Sequence, residues 1–181
     1  MTRARDLATY TTLTTLTGTQ TLTNKTFTSP AVNTATITAG TITDATENFS
    51  TFVSPTETGN IVAAAATGTI NFNVETSSVW YYTTNASANF TLNFRYNGTT
   101  TLNSKLSVGE VLTVVFMNTN GATAYYPNVI QIDGTTVTPL IQGGSAITSG
   151  NVSSVDAYSF TIIKTAATPT YVVLESQTQF K

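Results

Sequence analysis

From residue 68 onward the chain has five carboxylates, the side chains best suited to acid–base chemistry: Glu75, Glu110, Asp133, Asp156 and Glu175. Cleavage of a glycosidic bond would need two of them about 5–10 Å apart. Three have simpler explanations. Asp133 belongs to a predicted turn, Glu75 to the polar face of an alternating strand, and Glu110 to the start of an apolar strand. We therefore expect no catalytic pair and predict that the chain is not an enzyme.

Other common catalytic and metal-binding groups do not occur in the sequence. Its 181 residues include no histidine and no cysteine. Ser-His-Asp triads, thiolate nucleophiles and disulfides are therefore excluded, as are zinc sites built on thiolate or imidazole ligands. We expect neither a cofactor nor a bound metal.

Charge and hydropathy argue against two further classes of partner. The formal net charge is -2, and only 9% of the residues are charged. Binding to a nucleic-acid backbone needs clustered cations, so we expect no nucleic-acid partner. The longest apolar run, residues 61–66, is far shorter than the ~20 residues that span a bilayer, so no membrane insertion is expected. The first residues contain arginines without a following apolar segment, which predicts no signal peptide and disfavours a secreted adhesin.

Aromatic residues are the second set of candidate functional residues, because an exposed Tyr or Trp can stack on a sugar or anchor a protein interface. Neighbouring side chains in a strand point to opposite faces, so one member of each consecutive pair should point outward. Such a ring would either pack in a subunit interface or against a second sheet, or contact a receptor. The candidates for receptor contact are Trp80, Tyr81, Tyr82, Arg95, Tyr96, Tyr125 and Tyr126.

The segments that position these residues have the pattern of β-strands. Residues 69–75 and 89–95 alternate apolar and polar, and residues 111–117 are almost continuously apolar. Residues 159–164 and 171–175 are predicted to form the last pair of strands. Asp133-Gly134 predicts a tight hairpin turn. We predict an all-β fold in which residues 68–181 form an antiparallel β-sandwich or jelly-roll-like domain. Residues 54–67 are assigned to a linker, whose segment 61–66 is either a short helical turn or extended.

The first 50 residues contain 18 of the 42 threonines and a repeat of five residues. A period of five fits neither a strand nor a helix, so each repeat should bend. Five apolar side chains are too few to offset the entropy of ordering such a segment alone. Residues 1–53 are therefore predicted to be an extended arm that packs against sister copies in a homotrimer, the alternative being a flexible linker. The predicted oligomer core consists of Leu22, Phe27, Val32, Ile37 and Ile42.

Several segments resemble structural proteins of tailed bacteriophages. Residues 22–30 (LTNKTFTSP) are similar to repeats of tail-fibre and related virion proteins, and residues 3–8 (RARDLA) to the start of many fibre proteins. The second half resembles the C-terminal module of virion structural proteins of marine phages, cyanophages especially. The segments that carry this resemblance are 80–83 (WYYT), 91–95 (TLNFR), 119–126 (TNGATAYY), 131–134 (QIDG), 156–158 (DAY) and 161–165 (TIIKT).

The resemblance implies a virion component, most simply a short homotrimeric tail fibre. Its N-terminus would attach to other virion proteins of the tail, baseplate or capsid. Arg3, Arg5 and Asp6 are the candidate attachment residues, the alternative being a solvated chain end. The β domain would adsorb to the host surface, where a glycan is the expected receptor. The main alternative is a capsid decoration or head-fibre protein that stabilises the shell, and a depolymerase is a further rival.

Overall fold

The computed structural model describes residues 55–181. The predicted arm, its core residues Leu22, Phe27, Val32, Ile37 and Ile42, and the attachment residues Arg3, Arg5 and Asp6 lie outside the described residues. The strands are β1 (Asn60–Ala65), β2 (Gly68–Asn73), β3 (Val79–Thr84), β4 (Phe90–Arg95), β5 (Val111–Asn120), β6 (Pro127–Ile132), β7 (Thr135–Val137), β8 (Leu140–Ile141), β9 (Ser154–Ala166) and β10 (Thr170–Phe180). A single α-helical turn, α1 (Leu102–Lys105), and a 3-10 turn (Gln142–Gly144) complete these elements.

The strands form two mixed sheets, and the chain alternates between them. Sheet A has the order β1-β3-β5-β9-β10-β8, and sheet B has the order β2-β4-β6-β7. The neighbours β1, β3 and β5 run parallel, as do β2, β4 and β6. The chain therefore winds through three coils, each of which adds one strand to each sheet. The long strands β9 and β10 then extend sheet A in antiparallel fashion.

The all-β class is confirmed, but the antiparallel, jelly-roll-like arrangement is wrong. Parallel neighbours need a crossover of a dozen or more residues, which usually means a helix. Here the crossover from β1 to β3 runs through β2 in the opposite sheet. Side-chain alternation has the same period of two in either arrangement, so the sequence pattern does not distinguish them.

The linker prediction is also wrong where it covers residues 60–65. These residues form β1, the parallel edge strand of sheet A, in which Asn60 pairs with Trp80 and Ile61 with Tyr81. Of the two alternatives for this segment, the extended one is confirmed. The chain then turns into the other sheet at Ala66, which is fully buried.

The two sheets enclose one apolar core that is rich in aromatic rings. Phe94 of sheet B lies against Phe160 of sheet A, with ring centroids 4.9 Å apart. Phe90 and Phe116 form a similar pair across the sheets at 5.4 Å. The faces predicted from alternation in residues 69–75 and 89–95 are confirmed where they enter this core. The buried side chains from these segments are Ile70, Phe72, Phe90, Leu92 and Phe94.

The predicted hairpin at Asp133-Gly134 is confirmed. It joins β6 to β7, and its two residues have positive φ angles of 50° and 80°. A two-residue hairpin with positive φ at both positions matches the right-handed twist of the flanking strands. The turn brings the Asp133 carboxylate beside α1, where it accepts hydrogen bonds from the backbone N–H groups of Leu102 and Asn103.

Candidate functional site

Two of the candidate receptor contacts belong to the core. The Trp80 ring is 7% exposed and stacks on Phe72, with centroids 5.0 Å apart. Tyr82 points to the same inner face of sheet A and packs on Phe116 at 5.4 Å. Its burial raises the pKa of the phenol above the usual value. Trp80 therefore presents no face to a receptor, and Tyr82 presents at most part of its ring.

Three further candidates lie on opposite sheets. Tyr81 points outward from sheet A, and its hydroxyl forms a hydrogen bond with Thr119 Oγ1 at 3.1 Å. Arg95 ends β4 in sheet B, where its Nε donates to Asn73 Oδ1 at 2.7 Å. The neighbouring Tyr96 ring has the Lys105 ammonium 4.5 Å from its centroid. Tyr81 and the Arg95-Tyr96 pair consequently do not form one contact surface.

Tyr125 and Tyr126 lie in the connection between β5 and β6, and both pack partly against the core. The Tyr125 backbone N–H donates to Asn120 Oδ1 at 3.1 Å, and its carbonyl accepts from Asn120 Nδ2 at 3.1 Å. Tyr126 lines a surface cleft together with Ile130 and Glu175. The seven candidate receptor contacts thus lie partly in the core and partly on several different surfaces.

Glu75 and Glu110, both predicted to have structural roles, each accept a hydrogen bond. Glu75 accepts from Asn97 Nδ2 at 3.0 Å, and Glu110 accepts from the Ser107 N–H at 2.7 Å. Within residues 55–181, no group of three or more Asp, Glu, His or Cys side chains is arranged to hold a metal ion. In the same part of the chain, no helix is long and apolar enough to cross a membrane.

Asp156 is a fully buried carboxylate at one end of the inner face of sheet A. Asn151 donates to it twice, from its backbone N–H at 2.8 Å and from Nδ2 at 2.9 Å. Ser154 Oγ and Asn120 Nδ2 donate at 3.1 Å each. Burial, followed by the charge of Asp156, raises the pKa of Tyr158 far above its usual value. These neutral donors satisfy the carboxylate and attach the loop before β9 to the sheet, which is a structural role.

Glu175 is a second buried carboxylate, and its environment differs from that of Asp156. It lies on the inner face of β10, is 6% exposed and is in register with Ile141 of β8. Among the described residues, its buried Oε1 has no hydrogen-bond partner. Burial raises the pKa of this carboxyl from 4.5 to about 7. The sequence signal for it is a single acid among apolar residues in 171–175, on the same face as Val173.

A cleft of about 340 Å³ opens beside Glu175. Its walls come from β6, β7, β8 and the segment after the 3-10 turn, so residues far apart in the sequence converge on the carboxyl. Sequence reasoning missed this cleft, because it depends on the crossing of the two sheets. The principal side chains that line it together with Glu175 are Tyr126, Ile130, Val137, Pro139, Ile141 and Ile147.

The outer face of sheet A is a second candidate functional surface. The six strands of this sheet contain three charged residues, Asp156, Lys164 and Glu175, and all three are buried on the inner face. The outward side chains of β1, β3, β5, β8, β9 and β10, here called the uncharged sheet face, therefore include no charge. Its large exposed apolar residues, each 42–64% exposed, are Ile61, Val111, Leu140, Leu174 and Phe180.

Comparisons of the chain with protein-family models, with curated proteins and with solved structures gave no match.

Proposed function

We propose that the chain is a structural protein of a bacteriophage virion, a homotrimeric fibre rather than an enzyme. The N-terminal region attaches to the particle and associates with sister copies, and the β domain is presented toward the host surface. The similarity of residues 22–30 to fibre repeats suggests this class. The structural observation that supports it most is the uncharged sheet face.

The uncharged sheet face has the composition of a surface that packs against protein. Ile61 and Leu174, on different strands, are 64% and 42% exposed, and the side chains between them are apolar or hydroxyl-bearing. Monomeric proteins rarely expose large contiguous apolar patches. Packing against sister domains in a trimer would remove this surface from water without burying an unpaired charge.

Receptor contact then belongs to surfaces that are not part of this face. Arg95 is the best-placed candidate, because it lines a polar groove of about 230 Å³ on the sheet B side, together with Asn93, Asn97 and Asp133. Amide, carboxylate and guanidinium groups suit the hydroxyls of a surface glycan. Each contact would be weak, and three copies would raise the overall avidity.

A capsid decoration or head-fibre protein is the second candidate function. The uncharged sheet face favours it as well, because the same apolar surface could clamp shell subunits instead of sister domains. The two functions differ in what covers this face and in where the protein lies on the particle.

Immunogold electron microscopy of phage particles that encode the chain tests this proposal, with antibodies raised against residues 55–181. Label at the tail or baseplate would support the fibre, and label over the head would support the decoration or head-fibre role. Purified particles that carry no label, although the antibody detects the protein in the infected cell, would contradict both.

A further inference from the structure

We propose that the cleft beside Glu175 is a binding site for a primary alkylammonium ion. In this site the ammonium group pairs with the Glu175 carboxylate and the alkyl chain lies against the apolar walls. This inference goes beyond the proposed structural role and does not depend on it.

The first argument is the unsatisfied acceptor. Oε1 of Glu175 is buried, the residue is 6% exposed, and this oxygen has no hydrogen-bond partner among the described residues. Buried polar groups in proteins are nearly always hydrogen-bonded, because an unpaired one carries its full desolvation cost. By contrast, the buried carboxylate of Asp156 receives hydrogen bonds from Asn120, Asn151 and Ser154. A hydrogen-bond donor supplied by a ligand would satisfy Oε1 of Glu175 in the same way.

The second argument concerns the charge of that donor. Burial alone raises the pKa of Glu175, so the ionised form lacks a compensating positive charge in its surroundings. The strands β6, β7 and β8 contain no charged residue, and the cleft is lined by neither Lys nor Arg. A cation therefore gains more from this site than a neutral donor does, and an anion is repelled.

The other titratable groups near Glu175 do not supply the missing charge. Tyr126 lines the cleft, and Tyr158 lies on the adjacent strand β9. Burial raises the pKa of Tyr158, with Asp156 and then Glu175 adding to the effect, so this phenol stays neutral at ordinary pH. On the inner face of β9 the remaining charges are Asp156 and Lys164, of which Lys164 donates to the Asn103 and Leu106 carbonyls. The titration of the site between pH 6 and 8 is accordingly assigned to Glu175.

The walls indicate the remainder of the ligand. Ile130, Val137, Ile141 and Ile147 line the cleft together with Glu175 and contribute aliphatic side chains to its walls. Burial of each methylene against such walls contributes about 0.8 kcal/mol to transfer from water. An unbranched alkyl chain on the ammonium group fits this arrangement, and a compact hydrophilic cation does not.

Calorimetric titration of the full chain with pentylammonium chloride, at constant ionic strength, tests the site. The pKa of the probe is close to the lysine value of about 10.4, so the probe stays protonated at pH 6 and at pH 8. With a pKa of about 7, Glu175 is ionised to roughly one tenth at pH 6 and nine tenths at pH 8. We expect binding about tenfold tighter at pH 8. Pentanol, which has the same chain without the charge, should bind more weakly and without this pH dependence.

Glu175→Gln and Glu110→Gln form a matched pair of variants. Both replace a carboxylate by its neutral isostere, but Glu110 is exposed and bonded to the Ser107 N–H, outside the cleft. Glu175→Gln should lose about tenfold or more in affinity for pentylammonium at pH 8 and lose the pH dependence, while Glu110→Gln keeps both. Equal affinity for pentanol and pentylammonium, an unaffected Glu175→Gln variant, or no binding by the folded native chain would each overturn the proposal.

Discussion

Asp133 and Lys164 hold opposite ends of the same helical turn, although one follows β6 and the other lies within β9. The Asp133 carboxylate accepts from the backbone N–H of Leu102 at 2.7 Å and of Asn103 at 2.9 Å. The Lys164 ammonium donates to the carbonyls of Asn103 and Leu106 at 2.7 Å each. Groups that a free helical turn leaves unpaired are therefore satisfied from both ends.

The contacts of Asp133 and Lys164 with α1, here called the clamp, make a prediction for stability. Asp133→Asn keeps the positive-φ turn, which Asn tolerates, but weakens two charge-assisted hydrogen bonds, so we expect a loss of about 1–2 kcal/mol. Lys164→Met removes the donor to two carbonyls and should cost about 2–3 kcal/mol. Urea denaturation of the full chain measures both. Because both act on one turn, the double variant should lose less than the sum of the two, and strict additivity would argue against the clamp.

A close approach of the backbone at Gly150 gives a second prediction. A Cβ atom there would overlap the Tyr125 carbonyl oxygen and lie 2.8 Å from Asn120 Nδ2. Gly150→Ala should therefore displace the loop that bonds to Asp156 and destabilise the fold by about 2 kcal/mol or more. Gly98→Ala is the matched control, since its Cβ would meet nothing within 4 Å. Equal melting temperatures for the two variants would refute this explanation of Gly150.

Glu175 predicts how stability depends on pH. Its folded pKa is about 7, raised by burial from 4.5, so the folded state binds an extra proton between these values. Because the unfolded state binds fewer protons there, stability falls as pH rises from about 4.5 to 7 and then levels off. After allowance for screening by solvent at the open cleft, this loss should be about 2 kcal/mol.

Denaturant midpoints at pH 5 and pH 8 measure this loss. In Glu175→Gln the contribution disappears, and the variant should exceed the native chain in stability at pH 8. Glu110→Gln should retain the native pH profile. A native-like profile in Glu175→Gln would assign the effect to another group.

The uncharged sheet face gives a prediction for association. Leu174→Lys places a charge on the uncharged sheet face, which we propose packs against sister domains, and should shift the trimer toward smaller species at a given concentration. Thr69→Lys adds the same charge on the outer face of sheet B, away from the proposed contact. Sedimentation velocity of both variants distinguishes them. Identical distributions for the two would exclude this face from the subunit contact.

Local features of the fold could be predicted from the sequence. Alternation identified the buried faces around Phe72 and Phe94, and Asp133-Gly134 identified the hairpin, because each depends on neighbouring residues only. Strand partners could not be predicted, because parallel and antiparallel pairing share one side-chain period. Trp80 and Tyr81 illustrate a related limit. Alternation requires them to point in opposite directions, but only the packing of the sheets decides that Trp80 is the buried one.

The two candidate sites likewise depend on tertiary structure that the sequence does not predict. The uncharged sheet face depends on which side of each of the six strands packs against the core. In the observed arrangement, Asp156, Lys164 and Glu175 all point inward. The cleft at Glu175 depends on contacts between β10 and segments more than 25 residues earlier in the chain. The sequence identifies Glu175 as a carboxylate worth locating, and the tertiary arrangement supplies its surroundings.

The mass of the native chain in solution tests the central claim, that the chain associates as a homotrimer through the five-residue repeat in its first 50 residues. Multi-angle light scattering on the full chain should give three times the single-chain mass of 19.1 kDa. Phe27→Asp and Ile37→Asp should each lower this mass, because each places charges in the predicted oligomer core. A mass of one chain at every concentration, or trimers that withstand both substitutions, would contradict the account.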